Sequence, residues 1–96
     1  MRMTPSTGNV FRDLGFPPGE AANLRLRSML MIEIKRHIQD EKLTQKQAAE
    51  RLGVTQPRIS DLMRGKIGLF SVDTLITMLT HAGLKVEVRV KRSAAA

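Results

Sequence analysis

Apolar positions along the chain follow a helical period through most of its length and then switch to a period of two. Gly15, Pro17, Pro18 and Gly19 interrupt the chain first. Residues 20 to about 41 contain no Pro or Gly and are rich in Leu, Arg, Met and Glu, which reads as one long helix. Leu26, Leu30, Ile34 and Ile38 recur at every fourth position and form its main apolar stripe. Met29 and Ile32 lie off that stripe, near Arg25 and Arg36. They are either the margin of a wide core-facing surface or a patch for a partner.

Three shorter helices follow, each with its own punctuation. Thr44 begins the second, and Thr44 with Gln47 has the spacing of a capping box, in which hydroxyl and amide side chains each satisfy an orphan backbone N–H. Gly53 ends it, because glycine enters a left-handed turn without steric penalty. Thr55 is placed to cap the third helix, with Pro57 in its first turn, where a missing N–H is harmless. Gly65 ends that helix. Ser71 caps the fourth, Phe70 and Leu75 are spaced as a hydrophobic staple, and Val72, Leu75, Ile76 and Leu79 form the buried stripe. Gly83 ends it.

Beyond Gly83 the period changes. Leu84, Val86, Val88 and Val90 alternate with Lys85, Glu87, Arg89 and Lys91, the pattern of a strand with one apolar face. It is the one convincing strand in the sequence, and a lone strand leaves its backbone groups without partners. The simplest partner is the same strand of a second copy across a two-fold axis. Charge selects the register. With Val88 on the axis, Glu87 faces Arg89 of the other copy and Val86 faces Val90. With Glu87 on the axis, two carboxylates face each other. Opposite charges across a pair help and like charges hurt by roughly 0.2–1 kcal/mol. A centre at Val86, pairing Lys85 with Glu87, is the competitor.

Length and composition narrow the class. Ninety-six residues allow one domain with a modest core. It is placed at residues 10–92, with tails at 1–9 and 93–96 that read as frayed. The absence of Cys excludes disulfides and thiolate metal sites. The N-terminus shows no leader-like apolar region. The longest aliphatic run, residues 29–32, is far short of the ~20 residues of a membrane helix. The expectation is a soluble, cytoplasmic domain. Its formal charge of +7 asks for an anionic partner, with nucleic acid ahead of an anionic membrane surface.

No enzyme is read here. His37 and His81 sit in separate helices, and no carboxylate falls at a metal-ligand spacing, so neither a metal nor a cofactor is expected. Ser60-Asp61 has no readable base, and no Gly-rich phosphate loop follows a strand. Single-stranded RNA readers stack bases on aromatics, whereas Phe11, Phe16 and Phe70 read as core or staple residues. A membrane-surface helix is disfavoured by Glu33 and Asp40 on the first helix.

The most specific signal is residues 44–66. Two short helices meet with Gly53 in the turn, Ala49 is small where they approach, and Ala48, Leu52, Val54, Ile59 and Leu62 hold the pair together. This is a helix-turn-helix, which presents the N-terminal residues of its second helix to the major groove. Those are Gln56, Pro57, Arg58, Ser60 and Asp61. Arg58 suits guanine O6 and N7, and Gln56 suits adenine N6 and N7. Pro57 offers a thymine methyl an apolar surface or only stiffens the first turn. Asp61 either accepts from cytosine N4, disfavouring other sequences, or clamps Arg58 or Arg64. Backbone contacts fall to the helix starts, Thr44, Gln45 and Thr55, and to Lys46, Arg64 and Lys66.

The stretch LTQKQAAERLGVTQPRISDLMRGK, residues 43–66, resembles the Cro/lambda-repressor-like (Xre-type) helix-turn-helix family. NVFRDLGF at residues 9–16, together with the closing valine-rich strand, is most similar to its HigA-like antitoxin branch. The resemblance covers residues 9 to about 92. It implies an all-α, lambda-repressor-like domain of about five helices, with the C-terminal strand at 84–91 pairing in a homodimer. It implies binding to an inverted-repeat operator in double-stranded DNA, autorepression, and a cognate toxin as protein partner. The long first helix and the strand depart from the simplest repressor pattern, so no toxin-binding residues are carried over. The rival expectation is a protein-interaction module that neutralises a toxin and binds DNA weakly without sequence preference.

Overall fold

The computed structural model describes residues 18–92. The two tails and the motif at 9–16 therefore lie outside the described residues. Helix α1 spans Pro18–Asp40, α2 Gln45–Leu52, α3 Gln56–Met63 and α4 Val72–His81, with a 3-10 turn at Ile67–Leu69 between α3 and α4. The expected break before residue 20 is shorter than its composition suggests. Pro18 begins α1, in the first turn, where a missing N–H breaks no intrahelical bond.

α1 packs along α4 and also touches α3 and the 3-10 turn, while α2 packs on both α3 and α4. The core is one cluster. α1 contributes Leu30, Met31, Ile34 and Ile38; α2 contributes Ala48, Ala49 and Leu52; α3 contributes Ile59 and Leu62. Leu75, Met78 and Leu79 close it from α4 and Phe70 from the end of the 3-10 turn, so both members of the expected staple are buried in the same cluster. Leu26, Val54, Val72 and Ile76 pack against it partly buried. Met31 and Met78 are core residues that the stripe reading omitted. Ile32 is 51% exposed and Met29 is partly buried, and neither joins the cluster among the described residues.

Chain reversals share one device. After α2, α3 and α4 the N–H groups of Val54, Lys66 and Leu84 donate to the carbonyls of Ala49, Asp61 and Leu79. These are Schellman closures around Gly53, Gly65 and Gly83. α1 closes the same way, with Leu43 N–H donating to Ile38 at 3.0 Å, but its turning residue is Lys42 at φ 52°. A lysine there carries the Cβ strain that glycine avoids.

The expected strand at 84–91 is not shown by the fold. Among the described residues there is no β-ladder. The segment is non-helical, and Glu87 alone carries a bridge. Leu84 and Val86 pack on the core of their own chain, whereas Val88 is 63% and Val90 89% exposed. An alternating pattern fixes which side chains share a face but supplies no hydrogen-bonding partner.

Candidate nucleic-acid interface

α2, the turn at Gly53 and α3 are set at an angle by local contacts at the start of α2 and at both helix ends. Thr44 Oγ1 accepts from Gln47 N–H at 3.1 Å, and Gln47 Oε1 accepts from Thr44 N–H at 2.9 Å, completing the capping box. The Thr44 hydroxyl is thereby occupied, and Gln45 and Lys46 stand exposed on the first turn of α2. Gly53 has φ 70°, and a Cβ there would lie 2.9 Å from the His81 ring. Glycine is therefore required twice, for the turn and for the close passage of α4.

The expected cap at α3 is only half formed. Thr55 occupies the N-cap position with extended backbone, but its hydroxyl makes no capping hydrogen bond. Pro57 reduces the number of first-turn N–H groups that need a partner. Behind this turn Ile59 and Leu62 are fully buried, which forces the opposite face outward. Gln56, Pro57 and Arg58 are all exposed in a row at the start of α3. Ser60 and Asp61 are partly buried and flank this row.

Asp61 does form a clamp, but with neither expected partner. Its carboxylate lies 3.5 Å from the Lys66 ammonium beyond the end of α3. The turn after α3 curls Lys66 back, through its N–H bond to the Asp61 carbonyl, so both contacts come from one reversal. Lys66 thus reaches the surface with part of its charge balanced. Arg64 caps the end of α3 and is exposed. Between residues 44 and 66, Lys46, Arg51, Arg58, Arg64 and Lys66 stand against Glu50 and Asp61, a net positive unit.

Two features of the site carried no signal in the sequence. The Arg58 guanidinium carbon lies 5.8 Å from the centroid of the Phe70 ring, within cation–π range. Arg27 of α1 donates from one terminal nitrogen to the carbonyls of Ile67 (3.2 Å) and Phe70 (3.3 Å), and from Nε to Asn23 Oδ1 (2.7 Å). Forty or more positions separate Arg27 from the carbonyls it holds, so no local pattern announces it. Beside this clamp a groove of about 250 Å³ runs between α1 and the end of α3, lined by Met31, Ile32, Lys35, Leu62 and Ile67 among others.

No group of His, Asp and Glu among the described residues is arranged to hold a metal ion. No helix among them is long and apolar enough to cross a membrane.

Two short capped helices set at a glycine turn, with the second presenting its first turn to solvent, define a helix-turn-helix domain. The chain belongs to a helix-turn-helix domain family, whose model matches residues 10–91. A solved structure described as an XRE-family transcriptional regulator is similar at 31% identity and a TM-score of 0.72, over 78% of this chain and 84% of that one. The type is therefore Xre-like, in agreement with the resemblance of residues 43–66. No curated protein gives a significant match.

Proposed function

We propose that this protein is a sequence-specific DNA-binding transcriptional regulator that acts as a homodimer on an inverted repeat. The observation that carries the reading is the exposed row Gln56, Pro57 and Arg58 at the start of α3, backed by buried Ile59 and Leu62. That geometry inserts the first turn of α3 into a major groove. Gln56 and Arg58 have the donors and acceptors for bidentate base contacts. Gln45, Lys46, Thr55, Arg64 and Lys66 then lie on the phosphates to either side, with Thr44 contributing as a cap.

The dimer reading rests on the C-terminal segment. With Val88 on the two-fold axis, each exposed Val90 lands beside Val86 of the other copy, which packs on that copy's core. A centre at Val86 would set Val90 against Ala82, which caps α4, and would shorten the ladder. The Val88 register opposes Lys85 to Lys91, and the 3.5 Å contact between Lys85 and Glu87 softens that pair. Val88→Lys, which puts two ammonium groups on the axis, converts the dimer to monomer in sedimentation. An unchanged sedimentation coefficient removes this interface.

Autorepression and an antitoxin role are the proposed biological setting, on the resemblance to the HigA-like branch. A second reading, toxin neutralisation with weak DNA binding, is favoured by half-exposed Ile32 beside the α1 groove.

Selection of tight binders from random duplex DNA at near-physiological salt tests the main reading. An inverted repeat with half-site centres one turn apart, ~34–36 Å, is expected. Arg58→Ala then relaxes one base position, by ~1–3 kcal/mol. Binding with salt dependence but no consensus rejects sequence reading and leaves the neutralisation role.

A further inference from the structure

We propose that Phe70 is a positioning residue for DNA reading, its ring holding the Arg58 guanidinium in the orientation in which Arg58 meets DNA. The inference rests on the reading of α3 as the recognition helix. Three observations carry it. The guanidinium carbon sits 5.8 Å from the ring centroid, although Arg58 is otherwise exposed. The ring itself is buried, 1% exposed in the core cluster. Its backbone is tied to α1, because Arg27 donates to the Phe70 and Ile67 carbonyls.

A guanidinium held over a ring face makes no hydrogen bond to it, so the contact does not use up the N–H donors that a bidentate acceptor needs. An unheld arginine must be ordered when it binds, which weakens association about two- to tenfold for one rotamer-rich side chain. The ring removes part of that penalty before DNA arrives. α1 takes part at a distance, since Asn23 and Arg27 anchor the turn that carries the ring. Arg58 is the reader and Phe70 its support.

The test is a double-mutant cycle on the selected duplex, with Kd measured for the full chain, Arg58→Ala, Phe70→Leu and the double variant. A fifth protein carries pentafluorophenylalanine at position 70, which keeps the ring shape and apolar character with a modest gain in volume but reverses the charge of the ring face. Phe70→Leu is expected to weaken binding about two- to tenfold, mainly at the base position that Arg58→Ala relaxes. In the Arg58→Ala background it is expected to do nothing further. The fluorinated protein should weaken binding in the same way with its melting temperature retained, so the test survives if Phe70→Leu fails to fold. Independent, multiplying effects of the two substitutions overturn the proposal, as does full affinity in the fluorinated protein. If the parent chain selects a sequence but Arg58→Ala leaves it unchanged, the positioning role falls while DNA reading stands. If the parent selects no sequence, both fall.

Discussion

The helix-turn-helix unit and the C-terminal segment carry equally regular apolar patterns, yet they differ in how their backbones are satisfied. In α2 and α3 the hydrogen bonds run within each helix, and the start of α2 and both ends are closed by residues a few positions away. In 84–92 the side chains alternate as cleanly, but among the described residues Glu87 alone carries a bridge. A helix is completed by its own neighbours in sequence, whereas a strand is completed by something remote. The first unit is therefore complete within itself, whereas the second depends on a remote partner, and its Val88 and Val90 are exposed.

Truncating each region should break the symmetry of their patterns most sharply. Ile59→Ala removes a fully buried side chain and is expected to cost about 2–5 kcal/mol in denaturant unfolding. Val90→Ala, at a position 89% exposed, should change the stability of the dilute chain by less than about 0.5 kcal/mol. Its effect should appear only as a weaker dimer. A comparable loss at both sites would mean that Val90 is covered within one chain.

Gly53→Ala comes next, at about 1–3 kcal/mol, from positive φ together with a contact at 2.9 Å. Adding His81→Ala should return the steric part and leave the backbone part, which thermal melts of the two variants separate. Lys42→Gly should act in the opposite sense. It relieves the left-handed lysine at the end of α1, with an expected gain of about 0.5–1 kcal/mol in melting experiments. The smallest effect is electrostatic. Asp61→Asn frees Lys66 and should steepen the dependence of log K on log salt for DNA binding by about one unit, with the consensus unchanged.

How far the molecule was legible follows the same division. The box at Thr44 and Gln47, the turn at Gly53 and the staple of Phe70 on Leu75 were legible because each joins residues within five positions. The end of α1 was legible only roughly, since nothing about lysine signals a left-handed turn. At Thr55 the residue type was right for a cap, and the backbone took the cap conformation without the hydrogen bond. Asp61 was legible as a clamp but not its partner, because Lys66 is brought close by the reversal after α3. Arg27 and the Phe70–Arg58 contact were not legible at all. Both depend on how α1, α3 and the 3-10 turn before α4 come together, which the spacing of apolar residues leaves open.

The Asp61–Lys66 pair has a consequence for kinetics. A regulator scanning a genome meets wrong sequences almost always, and every phosphate contact it makes lengthens each futile stop. With Lys66 in the phosphate-contacting role proposed for it, the carboxylate of Asp61 beside it shortens those stops. On this view the acid at the edge of a basic surface tunes the search. It lets the protein leave wrong sites sooner, and so leaves more copies free to find the right one.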